Sequence, residues 1–212
     1  MKEYHKIETI FKRDMEGTKK LIEGEFRDPT VEFLKDCKWI GKEKIDGTNI
    51  RVYWDGHKVQ IGGRTDRAEL HIDLLKHIQS KFCTNEAEQL FEQMFGNKEV
   101  YLFGEGFGAG IQKGGGCYSK EKSFILFDVL VGDYYLQMPN VEEIAKAFDV
   151  PVVPVMKTGT LQELVDFVKS KPNSQVAIEP YTIEGLVAVP EVEVRSRDGS
   201  RVIVKIKVED FK

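Results

Sequence analysis

Two strand-like runs, Asn49–Trp54 and Lys58–Gly62, are separated by little more than Asp55-Gly56, and this spacing constrains the fold more than any other feature. Glycine takes positive φ readily at a tight turn, so the pattern predicts an antiparallel hairpin. Further runs rich in aromatic and branched residues read as strands: Val100–Glu105, Ser123–Val131, Tyr134–Leu136 beyond a Gly132-Asp133 turn, Gly185–Val189, Glu191–Ser196 and Val202–Val208. A second hairpin turn is expected at Asp198-Gly199. Apolar residues at helical spacing mark Arg67–Phe82, Glu86–Phe95 capped by Asn85 and stopped at Gly96, Val141–Phe148, and Leu161–Ser170, the last opened by Thr160 with Glu163 in capping-box spacing. Helices and antiparallel strands alternate irregularly, which gives an α+β class.

No Pro/Gly/Ser linker, low-complexity tract or internal repeat divides the 212 residues, so a single domain over 1–212 is expected. No apolar run approaches the roughly 20 residues of a membrane span, and the first residues, MKEYHKIETIFKRD, lack the apolar stretch of a secretory signal. The expectation is a cytoplasmic protein without membrane insertion. Cys37, Cys83 and Cys117 are widely spaced and odd in number, which suits neither a disulfide framework nor a zinc site, and His5, His57, His71 and His77 are scattered. A net charge of −4 argues against coating nucleic acid by bulk electrostatics, so any such contact has to be local.

Chemistry concentrates in five separated segments. Lys44-Ile45-Asp46-Gly47-Thr48-Asn49 sets a lysine beside an acid and a glycine where the hairpin begins. A lysine becomes nucleophilic when burial or nearby positive charge helps it shed its proton. Alone, this match is weak, because a surface lysine before an Asp-Gly turn is common. Leu102-Phe103-Gly104-Glu105-Gly106-Phe107 runs a strand into a glycine-dense stretch with one carboxylate, suited to a sugar hydroxyl or a divalent cation. Phe124-Ile125-Leu126-Phe127-Asp128 could offer a ring to a nucleobase, although an aromatic strand is more often core. Glu184 opens the run Gly185-Leu186-Val187, and Lys205-Ile206-Lys207 points two lysines to one strand face. Two neighbouring ammonium groups invite an anion between them, and the competing reading is a lysine-protected sheet edge.

The ordered set Lys-x-Asp-Gly-x-Asn, Phe-Gly-Glu, Phe-Asp, Glu-Gly and Lys-x-Lys resembles the motifs of the covalent nucleotidyltransferase superfamily. Within it the sequence is most similar to nick-sealing, editing-type RNA ligases, through Glu43–Asn49 and Gly108-Ala109-Gly110-Ile111-Gln112-Lys113, over about Lys42 to Lys207. The resemblance implies an antiparallel-sheet, ATP-grasp-like ligase domain with flanking helices, and because the last motif ends at Lys207 and the sequence at Lys212, no separate C-terminal nucleic-acid-binding domain is expected. It implies Lys44 as the amine that attacks the α-phosphate of ATP to form a lysyl-adenylate, Glu43 as reader of the adenine edge, Phe127 as a stacking ring and Glu105 as a ribose ligand. Asn49 and Arg64 would contact the phosphate or ribose region, Lys205 and Lys207 would grip the α-phosphate, and Glu184 with Glu105 would hold Mg2+, or Mn2+ in its place. AMP would then pass to a 5′-phosphate and be released when that end joins a 3′-hydroxyl. The implied partners are nicked or single-stranded RNA ends, with DNA as the alternative polymer, and a protein that supplies further nucleic-acid contacts. Val189 stands where some relatives carry lysine, which removes one phosphate contact. Three other readings stay open at this point: a compact DNA ligase, a GTP-using guanylyltransferase, and a non-catalytic end-binding module of the same fold.

Overall fold

In the computed structural model, which describes all 212 residues, the chain opens with β1 (Glu8–Thr9), β2 (Phe11–Arg13), β3 (Leu21–Phe26) and the short helix α1 (Pro29–Phe33). β4 (Trp39–Glu43), β5 (Thr48–Trp54) and β6 (Val59–Gly62) follow, then α2 (Ile72–Phe82), α3 (Asn85–Phe95) and β7 (Val100–Phe107). Next come α4 (Gly115–Tyr118), β8 (Ser123–Val131), β9 (Tyr134–Tyr135), α5 (Met138–Ala147), β10 (Val155–Gly159), α6 (Leu161–Lys169), β11 (Gly185–Pro190) and β12 (Val204–Lys207), ending in a 3-10 turn at Val208–Phe211. The α+β class holds, and no sheet closes into a barrel. No helix is long and apolar enough to cross a membrane.

The chain divides into two compact units. The first comprises Met1–His5, Asp46–Val153 and Ala177–Glu179; the second comprises Lys6–Ile45, Pro154–Val176 and Pro180–Lys212. In the first unit, five strands run in the order β6-β5-β7-β8-β9, all antiparallel. The Asp55-Gly56 hairpin forms as expected: Gly56 has φ +96, and Asp55 accepts from the His57 and Lys58 amides. One sheet face carries Ile50, Val52, Trp54, Val100, Leu102, Phe124 and Leu126 against α2, α3 and α5. The second unit holds a sheet in the order β1-β12-β11-β4-β10, in which only the β1–β12 pair is parallel, together with the β2–β3 hairpin. Its core gathers Trp39, Leu186, Ala188, Val204 and Ile206 against Leu161, Leu164, Val165 and Val168 of α6. The Thr160–Glu163 capping box that starts α6 is present in both directions.

Several expectations about elements change. Asn85 is the first helical residue of α3 and not its cap; Thr84 caps it, accepting from the Ala87 amide. The helix predicted from Arg67 begins only at Ile72, because the Gly63–Leu70 stretch is tied down elsewhere, and His71 caps it by accepting from the Asp73 amide. Glu191–Ser196 forms no strand; the hairpin survives as an isolated bridge of Arg195 with Arg201, the Asp198-Gly199 turn, and hydrogen bonds from the Ser196 amide to the Ser200 carbonyl and from the Val202 amide to the Val194 carbonyl. Strands β1 to β4 and β10 carry no clean alternation and were not visible in the sequence.

Candidate active site

The second unit builds its polar cluster on three neighbouring strands. β4 lies between β11 and β10, and its ladder continues past Glu43 through a hydrogen bond from the Lys44 amide to the Gly185 carbonyl at 3.0 Å. Lys44 thus leaves the sheet beside the residue that follows Glu184. Its Nζ donates to Glu184 Oε2 at 2.6 Å, while Glu184 Oε1 meets Lys207 Nζ at 3.0 Å. One carboxylate therefore bridges two lysines supplied by different strands. Gly185 makes this approach feasible: a Cβ there would lie 2.7 Å from the Lys207 Cα, closer than any side chain tolerates.

Lys205 and Lys207 share a face of β12, and Ile206 points the other way into the core with no exposure. Because β12 is flanked by β1 and β11, the edge-protection reading of the lysine pair is excluded. Burial lowers the Lys205 pKa, and repulsion from Lys44 and Lys207 lowers it further. Burial pulls Lys207 in the same direction, but its bonds to Glu209 and Glu184 outweigh that and hold it above the ordinary lysine range. Glu209 lies 2.6 Å from Lys207 and carries no motif that would have announced it.

Glu43 is 2% exposed, and burial raises its pKa against the opposing hydrogen bonds from the Ser174 hydroxyl and the backbone of 175–176. Its Oε2 accepts from the Gln175 amide at 3.0 Å, whereas Oε1 is buried without a partner. An unsatisfied buried carboxylate oxygen costs stability, and such groups call for a missing donor.

In the first unit, Asn49, Glu105 and Phe127 lie on the sheet face opposite the helices. Asn49 and Glu105 are direct cross-strand partners on β5 and β7. Asn49 Oδ1 is buried and unpartnered, a second acceptor without a donor. A Cβ at Gly47 would stand 2.8 Å from Glu105 Cγ and would also crowd the Gly106 carbonyl, and Gln112 Nε2 donates to the Gly47 carbonyl at 3.2 Å. The motif glycine is therefore required by close packing.

Phe127 owes its position to a bulge. The β7–β8 ladder pairs Phe103 with Asp128 and then Gly104 with Leu126, so Phe127 is the extra residue. Bulges re-aim side chains in this way. The Phe127 ring meets Tyr4 edge-on at 5.1 Å, and the Tyr4 hydroxyl donates to Asp128 at 2.5 Å. The other ring of the segment, Phe124, is core. Gly104 and Gly106 also face the core, where a Cβ would strike Phe124 and Leu74; their smallness serves packing and not approach of a ligand. Arg64 is exposed on the loop after β6 and forms no ion pair.

The structure thus brings Lys44, Glu184, Lys205 and Lys207 together in the second unit, while Glu43, the residue before Lys44, pairs with core Leu186 and bonds to the 174–176 segment instead; in the first unit Asn49, Glu105 and Phe127 share one face. Glu184 and Glu105, expected to share a metal, belong to different units, and no group of three His, Cys, Asp or Glu side chains forms a cage for an ion.

A family model for RNA ligase matches residues 37–207. The chain belongs to the RNA ligase family. Solved structures agree in fold: a Naegleria gruberi RNA ligase variant with ATP and Mn superposes with a TM-score of 0.62 at 22% identity, covering 86% of this chain and 52% of that one. A form of the same ligase with AMP and Mn gives 0.64 at 20% identity, with 86% and 53% covered. The form with PPi gives 0.61 at 22%, again with 86% and 53%. The chain spans about half the length of these solved RNA ligases.

Proposed function

We propose that the chain is an ATP-dependent RNA ligase that forms a covalent adenylate on Lys44. The observation that carries this reading is the Lys44–Glu184–Lys207 bridge, with the spare acceptor of buried Glu43 one residue before Lys44. An amine attacks only after losing a proton, so Lys44 exchanges its contact with Glu184 for the nucleotide as it becomes nucleophilic. Lys44 Nζ then bonds to the α-phosphorus as the bond to the β-phosphate oxygen breaks. Pyrophosphate departs, and the nitrogen gives up a further proton to leave a phosphoramidate linkage with a neutral nitrogen and one negative charge on the phosphoryl oxygens. Lys205 and Lys207, held on one face by the strand, supply fixed positive charge to the α-phosphate oxygens as negative charge builds there.

Glu43 Oε1 accepts from the exocyclic amine of the base, Phe127 stacks on it, Glu105 binds ribose hydroxyls, and Asn49 and Arg64 take the ribose or phosphate region. These roles agree with the two orphaned acceptors and with the bulge that presents Phe127. A divalent ion, Mg2+ or Mn2+, supplies charge neutralisation of the triphosphate. Glu184 or Glu105 would offer such an ion a carboxylate oxygen, the donor type that Mg2+ favours. The adenylate is then passed to a 5′-phosphate of a nucleic-acid end and expelled by a 3′-hydroxyl.

Incubation with ATP and Mg2+ should add the mass of one AMP to the intact protein, and Lys44→Ala should abolish the adduct. The same experiment with GTP identifies a guanylyltransferase, and sealing of nicked RNA, DNA and hybrid duplexes identifies the polymer. Binding of nucleotide with no adduct would overturn the covalent reading.

A further inference from the structure

Arg51 is the arginine that the fold hides completely, with 0% exposure. It stands on β5 two residues after Asn49 and on the same face, opposite Phe103 on one side and Gly62 on the other. By position alone it would pass for a phosphate ligand. Its donors, however, are spent within the protein: Nε on the Gly63 carbonyl at 2.6 Å, Nη1 on the Met1 and Lys2 carbonyls at 3.0 and 3.3 Å, and Nη2 on Asp66 at 2.9 Å. A Cβ at Gly62 would lie 3.2 Å from the guanidinium and would also strike the Met1 side chain, so the loop closes tightly over it.

This arrangement is poorly explained as a device for stability. Removing a guanidinium from water is expensive, and its only counter-ion, Asp66, is largely exposed, so an apolar residue of similar volume would serve the sheet at least as well. What the charge does achieve is geometric. Gly63 and Asp66 flank Arg64-Thr65; between β6 and α2 the stretch is also held by the turn from the Ala68 amide to the Thr65 carbonyl and by the Met1 ammonium, 3.5 Å from the second Asp66 oxygen. Arg64, exposed and without an ion pair, is carried by a segment whose two ends are fixed by one planar fork. A lysine at position 51 could not span these acceptors, because its donors radiate from a single nitrogen.

We propose that Arg51 is a positioning residue that presents Arg64 to the nucleotide by fixing Gly63 and Asp66 on either side of it. The inference rests on the reading of the chain as an ATP-dependent adenylyltransferase. Its test is a double-mutant cycle read as the KM for ATP in adduct formation, followed by intact mass, for wild type, Arg51→Lys, Arg64→Ala and the double variant. Each single variant should raise KM on the order of tenfold, as misplaced binding groups do, and the double variant should be no worse than Arg64→Ala. If Arg51 only supports folding, its loss leaves the KM of the active fraction unchanged or multiplies with the Arg64 effect; either result overturns the proposal. Should Arg51→Lys fail to fold, Asp66→Asn loosens the same loop while keeping an oxygen acceptor for the guanidinium. It should raise KM about threefold, and Arg64→Ala should mask that rise. An unchanged KM in Asp66→Asn would then overturn the proposal. A wild-type protein that takes up no AMP would instead overturn the functional reading, and this inference with it.

Discussion

At the scale of single residues, the site is a set of charges kept under tension by burial. The Glu43 carboxyl has a raised pKa because burial penalises its ionised form. A carboxyl raised in the folded state contributes stability below its unfolded pKa and loses that contribution as pH climbs through the folded value. Glu43→Gln should therefore raise the melting temperature near neutral pH by roughly 2–4 °C and flatten its fall across the upper carboxylate range, while weakening ATP binding, since an amide offers a donor where the base needs an acceptor. Calorimetry across pH together with the KM for ATP checks both halves. Lys205 carries the opposite shift, downward, from burial and its two lysine neighbours. It loses its proton earlier than an ordinary lysine as pH rises, so the KM for ATP should climb on the alkaline side before the usual lysine range. Lys205→Arg should remove that rise, because a guanidinium stays charged. The reactive lysine, the Glu-Gly pair and the alternating lysines could be read from the sequence because each depends on local spacing. Arg51, Ser174 and Tyr4 could not, because their partners lie far along the chain: Arg51 with Met1, Glu43 with Ser174, Tyr4 with Asp128. Glu209 sits only two residues from Lys207 and escaped notice because an acid at that spacing belongs to no motif.

At the scale of elements, legibility followed the strength of local rules. The Asp55-Gly56 hairpin, the Thr160 capping box and the Gly96 stop are each set by a few adjacent residues, and all three form. β4 failed to announce itself because WIGKE puts glycine and two charged residues in a strand whose stability comes from neighbours on both sides. Glu191–Ser196 misled for the opposite reason, with strand-like alternation but no ladder to join. The glycines of β7 show how a motif can carry two meanings. Gly104→Ala would bring a methyl against the Phe124 ring and to 2.5 Å from the Ile125 carbonyl. Overpacking of this kind should lower the melting temperature by about 5 °C, with loss of adduct formation only in proportion to unfolded protein. Thermal denaturation paired with adduct yield at low temperature separates this from a direct role in binding.

At the scale of the molecule, two hydrophobic cores are built from different residues. Leu164 is fully buried in the core of the second unit. Leu164→Ala should cost about 2–5 kcal/mol there and should accelerate hydrogen exchange in β4, β11 and β12 ahead of β5, β7 and β8. Equal acceleration in both sets would show the cores to be a single cooperative structure. No linker in the sequence separates the units, and the reason is visible in how they are assembled: the chain passes from one to the other after His5, Ile45, Val153, Val176 and Glu179. Neither unit is a continuous stretch, so neither can be inherited as a cassette. A gene breakpoint anywhere between codons 6 and 179 leaves fragments of both on each side, and recombination can trade the two units only together.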